Sequence, residues 1–251
     1  TVEARQEMLH KRLSSWTGGP VLHLVPTRGR VIELESDHRF WLKRKQDTLT
    51  GVIYRIFEED IRLKQFKNCR QIDDNARSLI VRKAVEQRAA QPEGLACFNR
   101  LIQDRGEDFP GIFRLISSFF SQLKLNNYQD RFVNDLQARI MKAEEIWGGS
   151  GEEPFALESD LAWIFGEYEE IKGELGVYDA DDVLCSVRDY LSSSPPSALR
   201  EIDAIIFDGF IHVSRIEEDI LYYLFRCVKE VWWLLDYDGQ RDDPVKDFKE
   251  S

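Results

Sequence analysis

Three short runs of branched or aromatic residues lack polar alternation and are bounded by turn formers: residues 21–25, 204–207 and 231–235. Such runs predict strands buried on both faces, as in a parallel sheet. The first two lead through polar or Gly-containing residues into helical patterns. That β-then-α rhythm belongs to a doubly wound sheet, whose strand ends face a ligand crevice. Almost everything between the first and second runs reads as helix. Ile112, Ile116, Phe119, Phe120 and Leu123 make one apolar stripe at helical spacing, and Leu161, Ile164, Phe165, Tyr168, Ile171 and Leu175 make another. Breaks at residues 91–94, 108–111 and 148–151 divide this region into packets of helical length, and Ser192-Ser193-Ser194-Pro195-Pro196 reads as a stiff connector back to the sheet. No internal repeat is present. The pattern predicts an α/β domain over residues 1–66 and 176–251 with an all-α subdomain inserted at 67–175, helix-dominated overall.

A chain of 251 residues, 43% hydrophobic and 31% charged, can bury one large or two small cores, which excludes disordered tails and disulfide miniproteins. The longest apolar runs fall far short of the ~20 residues a membrane helix needs. The N-terminus offers no basic-then-apolar signal, so a cytoplasmic location without membrane contact is expected. Cys69, Cys97, Cys185 and Cys227 form no CxxC pair and have no histidine at ligand spacing; they read as small buried hydrophobes rather than a metal site. The net charge of −11 hides a split. Residues 1–90 hold 18 Lys+Arg against 12 Asp+Glu, or +6, leaving −17 for the remainder. The basic half could meet phosphate, or simply be a solvated surface of uneven charge.

No GxxxxGK[ST] occurs and Gly-Lys is absent as a dipeptide, so nothing in this sequence cradles a β,γ-phosphate with Mg²⁺, and no cofactor is expected. The second strand ends Ile206-Phe207-Asp208-Gly209. An apolar strand ending in Asp is the Walker B arrangement, but Gly209 stands where a hydrolytic Glu would follow; Asp208 reads as a degenerate Walker B carboxylate or as a cap of the following turn. Glu170-Ile171-Lys172 with Asp160 has a nuclease's composition but falls within a helical stripe, where Glu170 and Lys172 diverge, and is read as solvated charge. No GxSxG occurs, and His10, His23, His38 and His212 lack a nucleophile pattern. His23, inside a strand, reads as structural. Asp179, Asp181 and Asp182 read as a helix start, with a cation site as the alternative.

The order of segments is familiar. Residues 22–34 (Leu-His-Leu-Val-Pro-Thr-Arg-Gly-Arg-Val-Ile-Glu-Leu) resemble the strand-turn-helix that superfamily 1 helicases and AddB-type helicase-nuclease subunits carry just after their P-loop helix. Residues 47–57 resemble the next motif, a Thr-aromatic-His-Gly stretch, with Leu49 and Thr50 in place of the aromatic and His. Residues 175–184 resemble the Asp-Phe-Asp-Asp-Leu segment; residues 205–210 are similar to the AddB version of Walker B, where Asp-Gly-Phe replaces Asp-Glu-Phe-Gln-Asp; and residues 230–238 resemble the strand that follows. The resemblance spans essentially the whole chain. It implies a partial RecA-like (P-loop NTPase-like) parallel sheet with a large helical insertion, starting just after the place of a P-loop, in a piece of a longer parent that ends in a PD-(D/E)XK nuclease domain.

The resemblance also implies where DNA would be touched: Thr27 and Arg28 after the first strand, and Thr48 and Thr50 in the second motif, with Arg30 and the Lys43-Arg44-Lys45 run adding phosphate attraction. Leu49 removes the stacking aromatic. Trp232 and Trp233 are alternative stackers, although in a central strand at least one belongs to the core. The expected function is a non-catalytic helicase-like module of a DNA-repair nuclease subunit that contacts single-stranded DNA, a helicase-nuclease partner subunit, or both. The alternatives are a protein-interaction scaffold without DNA contact, and a fragment of an ATP-dependent helicase whose P-loop lies upstream.

Overall fold

The apolar run at residues 21–25 forms β1 (Val21–Val25), with all five residues buried. In the computed structural model, which describes residues 2–29, 31, 44–91, 94–95, 97–98, 110–128, 132, 135, 138 and 156–234, β1 is flanked in the chain by α1 (Val2–Ser15) and β2 (Arg44–Thr48). Next come α2 (Leu49–Ile56), continued by a π-helical stretch (Phe57–Ile61), then β3 (Arg70–Gln71), α3 (Asp74–Ala89), α4 (Pro110–Leu125) and α5 (Ala156–Leu175). The chain goes on through β4 (Val177–Tyr178), α6 (Ala180–Ser193), β5 (Ala204–Asp208), α7 (Arg215–Arg226) and β6 (Glu230–Leu234). Packing divides these into a sheet unit (Thr1–Arg55, Pro195–Val213, Tyr222–Ser251) and a helical unit (Ile56–Ser194, Ser214–Leu221). The helical unit thus takes in residues 56–66 and 176–194 as well as the insertion the sequence suggests.

In the sheet unit, four strands run parallel in the order β2-β1-β5-β6. The chain is therefore a helix-dominated α/β protein with a parallel sheet. β1 and β5 are central, and all ten of their residues are buried. β2 has no apolar signal at all, reading Arg-Lys-Gln-Asp-Thr. It is a strand because it pairs with only one neighbour among the described strands, and the backbone ladder to β1, Val21↔Arg44 through Val25↔Thr48, holds it, with Lys45 exposed and Gln46, Asp47 and Thr48 half-buried. One face of the sheet packs Val21, Ala204, Ile206 and Leu234 with Leu9 and Leu13 of α1, and with Trp16 against Trp232 edge-on at 5.4 Å. On the other face Phe207 stacks on Phe210 at 4.1 Å and meets Trp233 at 4.8 Å, while Phe225 touches both Phe207 and Trp233. β6 is an outer strand among those described rather than a central one. Consequently Trp232 packs against Trp16, and Trp233 remains 54% exposed. The expected end of this strand, Leu235, lies outside the described residues.

The helical unit is built as the two stripes predict. Ile116, Phe120 and Leu123 of α4 meet Ile164, Phe165, Tyr168 and Ile171 of α5, with Ile80, Val81, Ala84 and Val85 of α3 completing the core. Phe120 sits against Phe165 and Tyr168, with ring centroids at 5.0 and 5.6 Å. Leu175, the last residue of the second stripe, is exposed. The break at residues 91–94 follows the end of α3, and Pro110 opens α4, a position that needs no backbone N–H; residues 148–151 lie outside the described residues. β3 and β4 form a two-stranded parallel pair, too short to announce itself in a region that reads as helix. The predicted connector shrinks to Ser194 and the two prolines, because α6 continues to Ser193. Among the described residues no helix is long and apolar enough to cross a membrane. No group of His, Cys, Asp and Glu among them has the geometry of a metal site. The four cysteines are free and half-buried, and burial pushes the Cys185 thiol up to about 11, which leaves it a poor nucleophile.

Candidate nucleic-acid interface at the carboxyl edge of the sheet

Parallel pairing brings the carboxyl ends of the strands to one edge. Val25 lies opposite Thr48, Leu24 opposite Phe207, and Asp208 opposite Leu234. Among the described residues the chain therefore leaves the sheet at this edge three times, as Pro26-Thr27-Arg28, as Leu49-Thr50, and as Gly209-Phe210. In open α/β sheets this is where ligands bind. Thr27, Arg28 and Thr50 are exposed here.

Thr48 is used internally. Its Oγ1 accepts from the Gly51 N–H at 2.9 Å, making it the N-cap of α2, while its own N–H donates to Asp47 Oδ1 at 2.8 Å. The other Asp47 oxygen is held by Arg55. Gly51 permits this arrangement: a Cβ there would lie 2.1 Å from Asp47 Oδ1 and 3.1 Å from Thr48 Oγ1. Gly51→Ala is expected to displace Asp47, loosen the cap and lower stability by about 1–2 kcal/mol in urea unfolding. An unchanged midpoint would show that Asp47 moves without consequence.

Arg44 and Lys45 of the basic run are not part of this edge. Arg44 pairs with Val21, at the amino ends of β2 and β1. Arg44 and the exposed Lys45 thus lie about 10–13 Å along the strand from Thr48, at ~3.3 Å per residue. Arg30 and Lys43 lie outside the described residues. Of the expected contacts, Thr27, Arg28, Thr48 and Thr50 come together and Arg44 does not join them.

Asp208 behaves as neither expectation has it. Its Oδ2 is 2.9 Å from His23 Nε2, in a hydrogen bond between side chains that are 5% and 0% exposed. His23 stands opposite Ile206, so two residues further along β5 the Asp208 side chain returns to the same face and meets it diagonally. His23 is structural, as its place in a strand implies, but its partner is the supposed metal carboxylate. A divalent cation's water shell needs a carboxylate open to the crevice. Asp208 is buried and committed to an imidazole, so these residues do not fit Mg²⁺. Gly209 departs further from a hydrolytic site, with φ at +75° and its N–H donating to Leu234 O at 3.3 Å. That left-handed backbone suits glycine and strains any side chain, a Glu included.

The acidic start of α6 lies in the helical unit and is a built network. Asp179 and Asp182 form a reciprocal capping box, each carboxylate accepting the other's N–H at 2.9 Å. Asp179 Oδ2 also accepts from Tyr168 OH at 2.6 Å, Lys172 Nζ at 3.1 Å and Lys124 Nζ at 3.3 Å. Asp182 takes both lysines at 2.7 Å, and Asp181 pairs with Arg77 at 2.6 Å. Lys172, read from sequence as solvated, is 3% exposed and belongs to this cluster, whereas Glu170 on the same helix is exposed. Asp160 is likewise buried, accepting from the backbone N–H groups of Cys97 and Phe98. Lys172 and Asp160 therefore do structural work in separate places, and Glu170 takes no part with either. Burial alone would raise the Asp179 carboxyl, but Lys124, Lys172 and Arg77, with the Tyr168 hydroxyl, hold it well below the usual carboxylate range. Three internal cations answer the acidic cluster and leave no demand for a metal.

Compared with known proteins, the chain matches no family model and no curated sequence.

Proposed function

We propose that the chain is a non-catalytic, helicase-like module of an AddB-type DNA-repair nuclease subunit that holds single-stranded DNA at the carboxyl edge of a RecA-like sheet. The observation that carries this reading is the convergence of Thr27-Arg28, Thr48-Leu49-Thr50 and Asp208-Gly209 at one sheet edge. The exposed hydroxyls of Thr27 and Thr50 and the Arg28 guanidinium suit sugar-phosphate contact, which positions a strand without reading its sequence. Two features support a role without hydrolysis: the hold of His23 on Asp208, and the left-handed backbone at Gly209. With no aromatic at position 49, phosphate attraction rather than stacking dominates affinity, so binding falls steeply with salt.

The test is anisotropy of a labelled single-strand oligonucleotide across a salt series. Binding at ~50 mM salt with a clear slope is expected, and Arg28→Ala should weaken it and reduce the slope by about one counterion. Lys45→Ala, away from the edge, should do less. Absence of binding at ~50 mM salt, or a slope of zero, rejects the proposal. Exposed Ile211, Tyr222 and Trp233 in the sheet unit favour a second reading, docking of a partner helicase-nuclease subunit. A stable complex with that subunit, together with no DNA affinity of the free chain, would select it.

A further inference from the structure

We draw no further inference here: the strongest candidate, the apolar surface patch on the outer strand β6 where exposed Trp233 rests against Phe225 of α7, carries nothing because no feature of the structure shows what covers it.

Discussion

His23→Leu lowers the stability of the sheet unit by about 3–5 kcal/mol, because it removes the imidazole that holds a buried carboxylate. The partner substitution is milder. Asp208→Leu leaves an imidazole, which can stay neutral, and costs about 1–3 kcal/mol, the usual penalty for an unmade buried hydrogen bond. The double variant, His23→Leu with Asp208→Leu, recovers most of the loss, since a well-packed apolar pair in a parallel-sheet core needs no partner. Urea unfolding followed by tryptophan fluorescence reports the effect, as Trp16 and Trp232 pack on the same sheet face. The ordering His23→Leu worst, Asp208→Leu intermediate, double variant best is the signature of a pair whose role is internal. Were Asp208 a metal carboxylate instead, millimolar Mg²⁺ would raise the wild-type midpoint, and that outcome would refute the assignment.

In the helical unit the corresponding residue is Asp179, and its loss is expected to be as damaging. Asp179→Ala deletes the N-cap of α6 and takes one of the carboxylates that the buried Lys124 and Lys172 share, leaving them Asp182 and Glu169, at about 3–5 kcal/mol. Asp179→Asn keeps the cap through its one oxygen but puts an amide NH2 where Tyr168 and the two lysines donate, so it retains the cap alone and falls between wild type and alanine. The pH dependence follows in sign. With its carboxyl below the usual range when folded, Asp179 contributes stability that is present above the unfolded value of about 3.9 and lost as pH falls through the lower folded value. Lys124 is the reverse case. Burial alone would lower it, but Asp179, Asp182 and Glu169 more than offset that and raise it, so its contribution is present below about 10.4 and lost as pH rises through the higher folded value. The network leaves stability level from about pH 5 to pH 9 and steep only in acid or strong alkali. A midpoint that declines across pH 6–8 in wild type but not in Asp179→Asn would contradict this.

The central strands and the helical stripes were legible because each buries apolar residues at the period of its element. What sequence hid is what register decides. β2 carries no hydrophobic signal, since a strand at the outside of the described sheet is held by backbone hydrogen bonds that any side chains permit. The partnership of His23 with Asp208 depends on a diagonal across two strands 185 residues apart, which neither run encodes alone. Lys172 and Asp160 look like surface charges in a charged helix; only the positions of α6 and of residues 97–98 turn them inward. The site suffers in the same way. Thr27, Arg28, Thr48 and Thr50 converge because their strands are parallel and in register, while Arg44, equally basic on paper, belongs to the other end of its strand.

The conformation of Gly209 gives the chain a one-way character. Turning its edge into a hydrolytic one would take more than a single codon change, because the peptide would have to flip out of φ +75° and surrender its tie to Leu234 before a carboxylate could be aimed at water. A backbone of that kind acts as a latch, since no side chain can be installed at this corner of the sheet without first moving the chain itself.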